Sequence, residues 1–388
     1  MLVNKTFKFR AYPDKPTVDT FDRWNCALKY LWNLSHEQRK IGISRPRGEK
    51  IYPSYFSQNR ELTDLRKQAD WVAEVPRHIC SQILMNLDLA WKRWFDGLSN
   101  APKWKKKSSY LSFTETDPKV WSLRGNRIKF PKLPLIPIVL SRPLEGKAKT
   151  CTIKRDGDQW FIHIVCEVNL ETPAPRAEPK VGIDRGVRNI IGDSNGRLVP
   201  NPKFMHKELA RLAKQQRTAN RRKKGSKNQQ KAYNRINRTH RKIRRQRDHF
   251  MHVESSNYAK SHGVVVMENL NTSGMVKGYL SRQISDSGWG KLFDYLAYKL
   301  QWSGGNLYEV PAHYTSQTCA ACEHIDGNSR CGDQFKCTKC GYLNHADLNA
   351  AIIILRRWSP SSQPVEGSSQ RATRRSRKFT SPDNEVMD

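Results

Sequence analysis

Val181-Gly182-Ile183-Asp184 and Gly263-Val264-Val265-Val266-Met267-Glu268 are two short apolar runs, each closed by an acid. An unbroken apolar run of this length reads as a strand buried on both faces, the pattern of a parallel sheet covered by helices. An ionised carboxylate at the end of such a strand is partly desolvated and is tolerated best beside a cation. A third acid, Asp347, opens a helical segment spanning 345–357. Three acids drawn to one spot repel one another unless hard cations neutralise them, and Mg²⁺ prefers oxygen ligands. Each acid also has an ordinary reading. Strand-end acids cap turns, Asp347 suits a helix N-terminus, and Asp193, in the turn 192–196, has only the turn reading.

Between the two runs the chain turns strongly basic. Residues 203–247 hold 18 Lys/Arg against one acid, Glu208, about half of the whole chain's net charge of +33. Leu209, Leu212, Tyr233, Ile236 and Ile243 give this stretch a thin apolar stripe, and Gly225-Ser226 breaks it, so we expect two antiparallel helices across 203–262. Like charges at helical neighbour spacing are destabilising unless something neutralises them. A phosphate backbone does so and releases counterions. Arg221, Arg222, Lys223, Lys224, Arg241, Lys242, Arg244 and Arg245 are therefore candidate nucleic-acid contacts, read as lying on the helices.

Downstream, Cys319-Ala-Ala-Cys322 and Cys337-Thr-Lys-Cys340 are two C-x-x-C pairs, separated by 14 residues. Such pairs can close a tetrahedral four-thiolate zinc site, structural because no coordination position stays open. A pair of redox dithiols is the alternative. Cys331, mid-loop, reads as non-ligating, with His313, His324 and His345 as weaker substitutes. Cys26, Cys80, Cys151 and Cys166 read as buried small hydrophobes. One tight cluster in a chain of 388 residues points to a metal site in a reducing, cytoplasmic setting. Residues 1–7 lack an apolar signal core and no run of ~18 apolar residues occurs, so we expect neither secretion nor a membrane span.

Upstream, residues 5–12 alternate, with Phe7, Phe9 and Ala11 on one side and Lys8 and Arg10 on the other. From Thr17 the period becomes helical: Phe21, Trp24, Leu28, Leu31 and Trp32, then Ile79, Ile83, Leu87, Trp91 and Trp94. Strand patterns return at 126–130, 150–155 and 159–168, the last two flanking the hairpin turn Asp156-Gly157-Asp158. A helical region thus interrupts a β domain, and the Pro-rich stretch 171–179 marks a boundary. The tail, 359–388, is Ser/Pro/Arg-rich and reads as disordered.

Gly182-Ile183-Asp184-Arg185-Gly186-Val187, Val266-Met267-Glu268-Asn269-Leu270 and Asp347-Leu348-Asn349-Ala350-Ala351 resemble the three blocks of a RuvC-type nuclease domain. With the cysteine pairs, Ser285-Asp286-Ser287-Gly288-Trp289-Gly290 and Leu296-Ala297-Tyr298-Lys299, the chain resembles TnpB, the insertion-sequence-encoded, RNA-guided DNA endonuclease. The likeness runs from the first strand to about residue 357. It implies α/β plus β-barrel architecture: a wedge-like barrel (1–16 and 104–172) split by a helical recognition domain (17–103), then an RNase H-like RuvC domain (180–312 and 343–358) with an inserted zinc ribbon (313–342).

It also implies a catalytic triad of Asp184, Glu268 and Asp347 holding two Mg²⁺, with Asp184 shared, and one structural Zn²⁺ on Cys319, Cys322, Cys337 and Cys340. Its implied partners are a guide RNA from the transposon end and double-stranded target DNA, bound by a monomer on its RNA. A short motif beside the target is read by the protein in such systems, and Tyr55, Arg77 and Gln82 have suitable chemistry: Arg for guanine edges, Gln for adenine. They read equally as helix-surface residues. Arg185 departs from the pattern, which is apolar there; it either meets the scissile phosphate or points to solvent. Glu323 stands where Gly is common. A nuclease-inactive RNA-guided repressor and an unguided RNase H-like transposase are the competing functions.

Overall fold

The computed structural model describes residues 1–46, 51–270, 272–275, 278 and 281–365. Two compact units form, Met1–Leu170 and the described part of Glu171–Arg374. The tail from 366 onward lies outside the described residues.

The first unit opens with β1 (Leu2–Ala11), followed by α1 (Lys15–Ser44), α2 (Tyr55–Gln68), α3 (Asp70–Ala73) and α4 (Arg77–Phe95). Strands β2 (Phe113–Glu115), β3 (Ser122–Arg124), β4 (Arg127–Lys129), β5 (Ile136–Val139), β6 (Lys147–Asp156) and β7 (Gln159–Asn169) complete it. They form one antiparallel sheet in the order β2-β6-β7-β1-β5-β4-β3, curled into a half barrel. The sheet does not close as a barrel: its ends, β2 and β3, are three-residue strands with no pairing to each other among the described residues.

Alternation along β1 buries Phe7 and Phe9 opposite Ile164 and Ile162 of β7. Asp14 caps α1 by accepting from Thr17 N at 2.9 Å. Phe21 of α1 then stacks on Phe113 (5.2 Å between centroids) and lies 4.7 Å from Trp160. Helices and sheet therefore share one core. Cys80, Cys151 and Cys166 sit in it, whereas Cys26, expected there, is exposed because its position on α1 faces away from the seam of Phe21, Trp24 and Leu28.

The second unit begins with β8 (Lys180–Asp184), β9 (Asn189–Asp193) and β10 (Leu198–Pro200), then the hairpin α5 (Phe204–Asn220) and α6 (Lys227–Ser261). After it come β11 (Val264–Glu268), α7 (Thr272–Met275), α8 (Ser281–Ser287), α9 (Trp289–Trp302) and β12 (Asn306–Val310). Three small strands, β13 (Arg330–Cys331), β14 (Gln334–Lys336) and β15 (Leu343–His345), precede α10 (Ala346–Arg356). The main sheet has the order β10-β9-β8-β11-β12, with β8, β11 and β12 parallel.

Val265 and Met267 face a core built with α6 and α9, while Val264 and Val266 pack with Tyr308, Val310 and Ile354. This two-sided cover explains the unbroken apolar run. The stretch 192–193, read as the start of a turn, instead ends a strand: Asp193 pairs with Ile183 and is 3% exposed. Its carboxylate accepts from Tyr258 Oη at 2.7 Å and from the backbone N–H groups of Asn195 and Arg197, so the acid does more than shape a turn.

Candidate nuclease centre and four-cysteine module

Asp184 ends β8 and Glu268 ends β11, one position beyond the last paired residues, Ile183 and Met267, of adjacent parallel strands. Asp347 lies in the first turn of α10, which is capped not by Asp347 but by His345, whose Nδ1 accepts from Asp347 N at 3.2 Å. Two glycines let this helix sit directly on the sheet. A Cβ on Gly182 would meet Ala351 O at 2.2 Å, and one on Gly192 would meet the Asp347 Cβ at 2.8 Å. Either clash would lift Asp347 away from the strand ends.

The three acids share one electrostatic environment. The Asp184 carboxyl is pushed up to about 8, first by burial and then by the negative charges of Glu268 and Asp347. Burial also raises Glu268, opposed by a hydrogen bond from Thr315 and by the charge of Arg185. Asp347 is 6% exposed; its Oδ1 accepts from Arg330 Nη2 at 3.3 Å and its Oδ2 from Asn189 Nδ2 at 3.1 Å. Arg185 does not point to solvent. It is 7% exposed, donates to the main-chain carbonyl of Glu268 and lies over the Phe293 ring at 5.9 Å. Three carboxylates grouped with the Asn189 amide and the Thr315 hydroxyl offer oxygen donors, the chemistry of a hard-cation site.

A cleft of about 840 Å³ opens beside Asp347, lined among others by Arg185, Arg188, Lys203, Arg282 and Arg330. The loop after Asp184 is held in that cleft by the segment 285–290. Trp289 Nε1 donates to Gly186 O at 3.1 Å, and the buried Asp286 accepts from Met205 N at 3.1 Å and from Arg247. Asn189, Thr315 and Arg330 had not stood out in the sequence. Asn189 begins β9, a strand whose end was read as a turn; Thr315 lies in a loop and Arg330 in the two-residue strand β13 between the cysteine pairs, with no periodicity to betray them.

The second cluster is the four cysteines. Their sulfurs all lie within 4.8 Å of one another, with Cys319–Cys340 at 3.7 Å and Cys322–Cys337 at 3.6 Å. With Zn–S near ~2.3 Å, a tetrahedral site has edges of about 3.8 Å, so the set fits zinc. Backbone N–H groups of Ala321 and Cys340 reach the sulfurs of Cys319 and Cys337, and the latter bond pulls the Cys337 thiol down to about 6. Among the described residues, no other group of three or more His, Cys, Asp or Glu ligand atoms is gathered this tightly; Cys331, which is exposed, lies outside it, and so do His313, His324 and His345.

The remaining candidates scatter. Arg221, Arg222, Lys223 and Lys224 are exposed but form the turn between α5 and α6, because α5 ends at Asn220; they are not on helices. Lys242, Arg244 and Arg245 are exposed on α6, and Lys242 pairs with Glu208 at 2.6 Å. Arg241, unlike the others, is 3% exposed. In the first unit, Tyr55 is half-buried at the start of α2, Arg77 is exposed and donates to Thr63 at 3.1 Å, and Gln82 bonds Asn86 at 3.0 Å on α4.

Residues 163–278 match a family model described as "Probable transposase", and 289–354 one described as "Cas12f1-like, TNB domain". A "Putative RNA-guided DNA endonuclease" of Streptomyces pristinaespiralis is 31% identical over 362 residues, 91% of this chain and 89% of the relative. The "Putative RNA-guided DNA endonuclease InsQ" of Escherichia coli K12 is 29% identical over 370 residues, covering 90% and 91%. The chain of a solved Cas12f1-sgRNA-target DNA complex shares the fold, with a TM-score of 0.59 at 14% identity, covering 93% of this chain and 100% of that one. At the identity and coverage of the Streptomyces relative, this chain belongs to the TnpB family of insertion-sequence-encoded, RNA-guided DNA endonucleases.

Proposed function

We propose that this chain cleaves double-stranded DNA selected by a guide RNA, using a RuvC-like centre of Asp184, Glu268 and Asp347 that holds two magnesium ions. One observation carries the reading: Asp184 and Glu268 end adjacent parallel strands, and the helix bearing Asp347 packs on that sheet with Asp347 against Gly192, next to a cleft lined by cations. When bound, magnesium supplies Lewis-acid activation of water and neutralises charge on the phosphodiester. The chain's own residues do the rest. Asn189 orients Asp347, Trp289 holds the loop after Asp184, and Arg188, Lys203, Arg282 and Arg330 offer cations to the backbone of the strand being cut.

In this reading residues 180–312 and 343–358 form the nuclease domain, 313–342 its zinc ribbon, and the first unit combines wedge and recognition roles. The exposed cations of the α5–α6 hairpin neutralise nucleic-acid phosphates. Tyr55, Arg77 and Gln82 face the target-adjacent motif. The names of the relatives support a guide RNA and DNA target, with base pairing rather than side chains reading the sequence. The protein acts in the cytoplasm, where its cysteines stay reduced. A repressor needs none of the three acids, and all three are present.

The test uses ribonucleoprotein purified with its RNA, a plasmid carrying the matching target, and Mg²⁺. Wild type should linearise the plasmid; Asp184→Ala should lower the cleavage rate at least ~1000-fold while guided binding persists. Full cutting by that variant would remove the triad assignment.

A further inference from the structure

One buried hydrogen bond next to the acids comes from outside the nuclease sheet. Thr315 is 3% exposed and lies on the strap joining β12 to the first cysteine pair. Its hydroxyl donates to Oε1 of Glu268 and also lies 3.2 Å from Ala312 O. A single proton faces two acceptors, and an ionised carboxylate accepts more strongly than a peptide carbonyl, so the proton goes to Glu268.

The strap itself is gripped from both sides. Asn349 of α10, fully buried, donates to Thr318 O at 2.8 Å and accepts from Ala320 N at 2.9 Å. Arg357 donates to Pro311 O at 3.0 Å and to His313 O. Thr318 closes a turn onto Tyr314 O through both its N–H and its hydroxyl, at 3.0 and 2.7 Å. Cys319 follows at once, with its N–H on His324 O at 2.9 Å. The place of the Thr315 hydroxyl is thus set by the helix that carries Asp347 and by the first zinc-binding pair.

We propose that Thr315 is a positioning residue that presets the Glu268 carboxylate for divalent-cation capture, and that the four-cysteine module, through this strap, is a working part of the nuclease centre. The inference rests on reading Glu268 as a metal-holding acid. Its physical basis is that a carboxylate at a strand end rotates freely unless a partner holds it, and that partners of this kind commonly change metal affinity about 10- to 100-fold.

The experiment titrates Mn²⁺ into the full-length, zinc-loaded protein and follows free Mn²⁺ by electron paramagnetic resonance, for wild type, Thr315→Val, Thr315→Ala, Thr315→Ser and Asp184→Ala. Thr315→Val should weaken Mn²⁺ binding about 10-fold or more, with zinc content unchanged, and Thr315→Ser should restore it. Should the valine variant fail to fold, Thr315→Ala removes the same hydroxyl without adding bulk. Wild-type affinity in the variant lacking the hydroxyl, or a serine variant as weak as valine, overturns the proposal. If Asp184→Ala binds Mn²⁺ as tightly as wild type, the acids are not the cation site, and it is the function proposed above that fails.

Discussion

Asp184 combines three properties that conflict unless a cation sits beside it: it ends an apolar strand, it is crowded by neighbours, and it feels the charge of two other acids. Its raised pKa means the folded protein holds this proton more tightly than the unfolded chain. The stability it brings is therefore complete below the ordinary aspartate range near 4 and is lost as pH climbs through about 8. Asp184→Asn keeps the shape and cannot ionise. In magnesium-free buffer the gap between the two proteins should be smallest below about pH 4 and widen as pH rises, with the variant melting at least about 2 °C higher at pH 8, measured by scanning calorimetry. A gap that does not grow with pH would show that burial and the neighbouring acids do not act on Asp184 as described. That Asp184 and Glu268 end strands was readable from the apolar runs before them. Arg185 was not, because a side chain at a strand end can turn inward or outward, and only the Glu268 carbonyl and the Phe293 ring decide which.

The α5–α6 hairpin was legible as an element and misjudged in detail. Its stripe of Leu212, Ile236 and Ile243 does form the seam, and Ser226 caps α6 by accepting from Gln229 N at 3.1 Å. A charge run carries no information on which cations packing buries, so Arg241 was counted with the others although it is buried. This distinction has measurable consequences. Replacing Arg221, Arg222, Lys223 and Lys224 together by Ala should leave thermal stability within about 1 °C, since the turn is exposed. The same change should weaken RNA binding and flatten its dependence on salt, by up to ~3 units of log–log slope for four lost phosphate contacts. An unchanged slope in filter binding would remove the turn from the RNA surface. Arg241→Ala, by contrast, should lower the melting temperature.

Each of the two compact units carries its own core, and the division falls at Leu170. Expectation had separated a helical domain from a barrel within the first unit. Phe21, lodged between Phe113 and Trp160, packs the helices and the sheet into one core. Residues 1–170 expressed alone should therefore fold and melt in a single transition, with helix and strand signals lost together in circular dichroism. Two separate transitions would restore the picture of independent domains. Helical and alternating periods were visible in the sequence because they are local. The shared core was not, since nothing along the chain states that an aromatic at position 21 meets one at 113.

Local pattern alone determined the apolar strands β8 and β11, the basic hairpin and the spacing of the paired cysteines, because period, charge and spacing are properties of neighbouring residues. Only the tertiary structure decided that Gly182 and Gly192 let α10 lie on the sheet and bring Asp347 to Asp184, and that a strap leading to the cysteines reaches Glu268. Convergence of distant segments depends on how close two backbones can pack, and that is settled by the absence of a side chain at two positions rather than by any run of residues.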